Sequence, residues 1–187
     1  MDTLEALQAA HDYAGRVVAG ILPVHLPRPT PCAQWTVRDV LNHVLGGLVM
    51  FDHAHRGRPV ESHDAGDLVG DDPAEAFTGP IRQNLAFWRS PGAFDGEITL
   101  PLGRVPAPAA ALVECVELTV HGWDAGQGAG LDIPIDAELA AVLLDFSQGF
   151  DLHPLRAEGT IGPEVACPEV AAPDRRLLSL LGRRPLP

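Results

Sequence analysis

The chain has 187 residues, about one domain's worth, with 25 acidic residues against 13 basic ones and a formal charge of -12. A surface that negative repels phosphate backbones and anionic lipid headgroups, so nucleic acid and membranes are excluded as partners. All thirteen basic residues are arginine, and without lysine neither Schiff-base chemistry nor a phosphate-loop lysine is available.

The amino terminus, Met1 to Glu5, is acidic and gives no secretory signal. Leu4, Leu7, Ala10, Ala14, Val17, Val18 and Ile21 recur at helical spacing, and the proline-rich segment from Pro23 to Pro31 stops this first helix. Thr36 and Asp39 form a capping-box pattern, with Trp35 placed to staple onto Val40, so a second helix is predicted from Val37 to about Arg56. Its Gly46-Gly47 pair is read as a place where a neighbouring helix packs closely. Residues 57–71 lack periodicity and read as a loop.

Asp72-Pro73 opens a third helix that carries Ala76, Phe77, Ile81, Leu85 and Trp88 on one side and ends at Ser90-Pro91-Gly92. Ile98 to Leu100 and Leu102 to Val105 form a small hairpin around Pro101 and Gly103. The fourth helix begins near Pro108 and runs to His121-Gly122-Trp123-Asp124, where Gly126, Gly128 and Gly130 are expected to end it. Ala137 to Phe150 make another helix, and the tail adds a short one from Arg175 to Leu181. The fold class is therefore all-α, a four-helix bundle with extra short helices and a small β-hairpin, and residues 1–187 are expected to be a single domain.

The best apolar run, Val44 to Phe51, is far short of the ~18 residues that span a bilayer. Cys32, Cys115 and Cys167 are widely spaced and contain no C-x-x-C pair, so they read as free thiols of a reducing, cytoplasmic compartment. The four serines have no nucleophile-elbow context, and Gly126 to Gly130 follows a helix instead of a strand, so a serine hydrolase and a dinucleotide fingerprint are both set aside. A homodimer is compatible with the pattern, because a dimer face would be an ordinary apolar stripe.

Of the eight histidines, His11, His25, His53, His55, His63 and His153 are read as exposed, in loops or at helix ends. His43 and His121 differ, for they lie on apolar helix faces. Glu117 and His121 are four apart and share a helix face, so a carboxylate oxygen and an imidazole nitrogen can meet at one point. A histidine from a facing helix would complete a three-ligand metal set, whereas a buried hydrogen-bonded Glu-His pair has the same spacing. Asp124, one turn further, either orients a ligand from behind or pairs with an arginine. Cys115 and Trp123 read as packing.

Three blocks, Trp35 to Val44, Glu117 through His121-Gly122-Trp123-Asp124, and Gly162 to Val165 with Asp174 to Arg183, together resemble the DinB-like superfamily. The nearest branch is the actinobacterial metal-binding proteins related to the amino-terminal domain of mycothiol-dependent maleylpyruvate isomerase, and the resemblance covers nearly the whole chain. It implies a divalent metal, zinc most often and nickel in some members, at His43, Glu117 and His121. It also implies a low-molecular-weight thiol such as mycothiol as cofactor and a small electrophilic substrate, hence a transferase or isomerase.

The sequence departs from the family at Ala125-Gly126-Gln127-Gly128, which predicts a helix loosened just past the site. The separate carboxy-terminal domain of the full isomerase is not expected in these residues, which leaves substrate contacts unassigned. The alternatives are a thiol-independent metal-assisted hydrolase or cyclase, and a non-catalytic metal-binding stress-response bundle.

Overall fold

The computed structural model describes residues 1–58, 66–100 and 103–185. His63 and the Pro101-Leu102 part of the expected hairpin lie outside the described residues.

Helix α1, Thr3–Ala19, starts at a capping box in which Asp2 accepts from the Glu5 amide and Glu5 accepts from the Asp2 amide. Its buried stripe of Ala6, Leu7, Ala10, Tyr13, Ala14, Val17 and Val18 repeats at three and four residues, as a core-facing helix requires. Helix α2, Val37–His55, begins at the expected Thr36–Asp39 box. Helix α3, Pro73–Trp88, is capped by Asp72 and buries Phe77, Leu85 and Trp88. Strands β1, Glu97–Leu100, and β2, Gly103–Pro106, pair antiparallel with Ile98 opposite Val105, and they lead directly into α4, Ala107–Ala129.

The four long helices close a ring in which α1 touches α3 and α4, and α2 touches α3 and α4. Helix α5, Ala137–Gln148, packs against α1, α4 and α7, Pro173–Leu180. A short α6, His153–Ala157, lies between α5 and α7 in sequence. Among the described residues no helix is long and apolar enough to cross a membrane.

Helix α4 is central, and it corrects the expected helix end. It runs on through Gly126 and Gly128 and stops only at Gly130, which adopts the left-handed conformation. There the Leu131 amide reaches the Gly126 carbonyl and the Gly130 amide reaches that of Gln127, the two bonds of a Schellman cap. Gly128 is inside the helix because the chain before α2 crosses it. A Cβ there would sit 2.6 Å from Val37 Cγ2 and 2.8 Å from the Pro29 carbonyl. The helix beyond the site is therefore packed and not loosened. The reverse holds at Gly47, where an added Cβ would meet nothing within 4 Å, so the close approach expected at that glycine is absent.

Candidate metal centre

Helix α2 presents His43 two turns after its cap, and α4 presents Glu117, His121 and Asp124 along one face. The three expected ligands converge. His43 Nε2 lies 2.9 Å from Glu117 Oε2, and His121 Nε2 lies 3.4 Å from the same oxygen. One ligand atom from each falls within 4.8 Å of the others. Side-chain exposures of 27% for His43, 43% for Glu117 and 10% for His121 make the group reachable from solvent on the Glu117 side.

Behind His121, its Nδ1 lies 3.1 Å from Asp124 Oδ2. Asp124 is fully buried and also takes the guanidinium of Arg183, whose Nε and Nη2 lie 3.2 and 3.1 Å from Oδ2. Asp124 thus contacts His121 and pairs with Arg183 at once, the contacts that its two readings call for. Burial would push the His121 imidazolium down, but the hydrogen bonds to Asp124 and Glu117 outweigh it and raise its pKa to about 9. Burial likewise raises Glu117, yet the hydrogen bonds from His121 and His43 hold it well below the usual carboxylate range.

A second group, Cys32, His121 and Asp124, also has ligand atoms within 4.8 Å of one another. It already contains a cation. Arg183 Nη2 stands 3.7 Å from Cys32 Sγ while it pairs with Asp124, and a metal ion there would meet that fixed positive charge. Burial pushes the Cys32 thiol up to about 11, against the pull of Arg183, so its sulfur carries a proton at neutral pH.

Three residues of the site were not foreseen as such. Trp35 was read as a staple, but its ring lies against both histidines, 4.9 Å from His43 and 5.7 Å from His121 between centroids. Cys32 reaches the site because its loop folds back, with Val37 bonded to the Arg28 carbonyl and Thr30 bonded to that of Trp35. Arg183 arrives from the tail. Its sequence signal was its place in the Gly182-Arg183 end of the third block, which says nothing of its partner.

Of the histidines expected to be exposed, His153 is, His25 and His53 are half-buried, and two others depart through specific contacts. His11 is buried in the middle of α1, with 1% of its surface exposed, and faces Glu114. His55 is half-buried, with its ring stacked on Phe87 at 3.4 Å.

A family model described as the mycothiol maleylpyruvate isomerase N-terminal domain matches residues 7–126. The chain is similar to an uncharacterized protein of Mycobacterium tuberculosis found in strains CDC 1551 and H37Rv, with 29% identity over 186 residues in each, covering 98% of both partners. No solved structure matches the chain.

Proposed function

Because the chain belongs to the mycothiol maleylpyruvate isomerase N-terminal domain family, we propose that it is a divalent-metal-dependent transferase or isomerase that uses a low-molecular-weight thiol on a small electrophile. In this reading His43, Glu117 and His121 hold the ion, zinc or nickel, and Asp124 orients His121. The observation that carries it is the meeting of two imidazole nitrogens at one carboxylate oxygen on a solvent-open side of the bundle.

The donors suit such an ion. Two nitrogens and one oxygen from three side chains leave a place for a guest, as catalytic zinc sites do. When bound, the cation would lower the pKa of a thiol beside it and so supply a thiolate at neutral pH.

The chain's own groups have separable tasks. Asp124 accepts the His121 Nδ1 proton, so that Nε2, which donates to Glu117 in this structure, is the nitrogen that would give up its proton and turn its lone pair to an ion. Glu117, held ionised, contributes negative charge and not a proton. The Trp35 ring covers one side of both imidazoles and keeps water from it, which strengthens each charge interaction there. Cys32, as a protonated thiol, does not compete with an incoming nucleophile.

Metal analysis of the purified chain, followed by turnover of maleylpyruvate with and without mycothiol, tests the reading. The expected results are about one equivalent of zinc or nickel in the wild type, its loss in His43→Ala and His121→Ala, and turnover that requires the thiol. Metal content unchanged by both substitutions removes the ligand assignment. Turnover indifferent to mycothiol replaces thiol chemistry with metal-assisted hydrolysis or cyclisation.

A further inference from the structure

Residue Arg183 lies beyond the stretch matched by the family model, yet it is 8% exposed and its side chain ends inside the site. Nε donates to both Asp124 oxygens, at 3.4 and 3.2 Å, and Nη2 donates to Oδ2 at 3.1 Å. Nη1 donates to the Leu181 carbonyl at 2.9 Å. Nη2 also reaches Cys32 Sγ at 3.7 Å, so every nitrogen of the guanidinium is engaged within the protein.

The backbone that delivers it is tightly specified. Helix α7 ends in a Schellman cap, with the Arg183 amide on the Leu178 carbonyl at 2.8 Å and the Gly182 amide on that of Ser179 at 3.1 Å. Gly182 has φ +79°, and a Cβ there would come within 2.7 Å of the Gly162 backbone. Leu177 and Leu178 anchor the helix in the core, where α7 packs on α5. The turn that places Arg183 is therefore held from both sides, and the guanidinium fork fixes the Asp124 carboxylate in one orientation.

We infer that Arg183 is a positioning residue: through Asp124 it fixes the His121 ring, so that the carboxy-terminal segment is a working part of the centre built on α2 and α4. The inference rests on the metal reading proposed above and adds to it a residue that touches neither ion nor guest. A carboxylate held by an arginine cannot swing away from the imidazole it orients, and loss of such an outer contact weakens metal binding by about 10- to 100-fold.

The test uses cobalt(II) as the probe on the full chain. Affinity is read by competition with a chelator, ligand geometry by the visible cobalt spectrum, and fold by thermal melting without metal. Arg183→Met is expected to lower cobalt affinity about 10- to 100-fold and to shift the visible bands. Arg183→Lys keeps the charge without the fork, and is expected to fold and to lose affinity by a smaller factor. Leu85→Ala, a core truncation in α3 outside the tail, is expected to lower the melting temperature while leaving affinity and spectrum as in the wild type.

Wild-type affinity and spectrum in Arg183→Lys and in any folded Arg183→Met overturn the inference. An equal loss of affinity in Leu85→Ala overturns it too, since the effect would then be one of stability. Wild-type protein that binds no cobalt, or binding that survives His121→Ala, overturns the metal reading and this inference with it. Binding that needs His121 and ignores Arg183 overturns this inference alone.

Discussion

Glu114 and His11 show how burial decides protonation at a single residue. His11 Nδ1 lies 2.8 Å from the Leu7 carbonyl and must donate to it, so Nε2 carries the lone pair that faces Glu114 Oε1 at 3.4 Å. Glu114 Oε2 accepts from the Trp88 indole at 3.1 Å. His11 Nε2 and Glu114 Oε1 approach without a hydrogen bond, so a proton on Oε1 removes a buried charge that faces a lone pair, and burial supplies the bias. It raises Glu114 to about 7, against the opposing Asn84 and Trp88 bonds, and lowers His11 to about 4. The stability linked to Glu114 is full below its unfolded value of 4.5 and is lost as the pH rises through about 7. That linked to His11 is full above 6.5 and is lost as the pH falls through about 4. Between 4.5 and 6.5 the two slopes oppose each other. Glu114→Gln keeps a donor for His11 and an acceptor for Trp88 but removes the titrating proton. It is expected to be more stable than the wild type by about 1–3 kcal/mol at pH 8, with the gain shrinking toward pH 5 in urea melts. An equal difference at both pH values would show that the Glu114 carboxyl is not raised above its unfolded value in the folded chain.

At the scale of an element, α4 answers to its neighbours more than to helix propensity. Its glycines cost helix stability in isolation, yet Gly122 lies against the Tyr13 ring, Gly126 against Val17, and Gly128 against the chain before α2. With α1 packed close along this seam, Glu117, His121 and Asp124 stay on one uninterrupted helix, which is what lets three residues of one helix serve one site. Gly128, expected to end a helix, and Gly47, expected to mark close packing, therefore have opposite expected outcomes. Gly128→Ala drives a methyl into Val37 and the Pro29 carbonyl and is expected to destabilise by about 1–3 kcal/mol. Gly47→Ala adds a methyl in open space on an ordinary helical backbone and is expected to stabilise by about 0.5–1 kcal/mol. Chemical denaturation of both variants checks the pair, and a stabilised Gly128→Ala would refute the packing account of why α4 continues past the site.

For the molecule as a whole, the site ties together elements far apart in the chain: His43 on α2, Glu117, His121 and Asp124 on α4, Trp35 and Cys32 from the loop before α2, and Arg183 after α7. A ligand that binds only the folded arrangement stabilises all of it by mass action. At a free metal concentration 100 times its dissociation constant the gain is about 2.7 kcal/mol, which for a chain of this size is about 5–10 °C in melting temperature. Melting with zinc against melting in chelator is expected to show this shift in the wild type and none in His121→Ala. Equal shifts in both would place the stabilising ion elsewhere.

Much of this was legible in the residues, because local rules govern it. Helix positions followed from apolar periodicity and from the Thr36–Asp39 and Asp72 caps, and the shared face of Glu117 and His121 followed from a spacing of four. The resemblance brought in His43, since spacing by itself left a buried pair open beside a metal set. Other features depended on which surfaces meet. Whether Gly128 ends a helix or packs inside one, whether His11 faces water or Glu114, and which arginine reaches Asp124 are settled by contacts between segments, some more than a hundred residues apart. A helix is determined by neighbours three and four positions along the chain. A buried charge is determined by whatever partner the folded chain brings to it, and no local pattern specifies that partner.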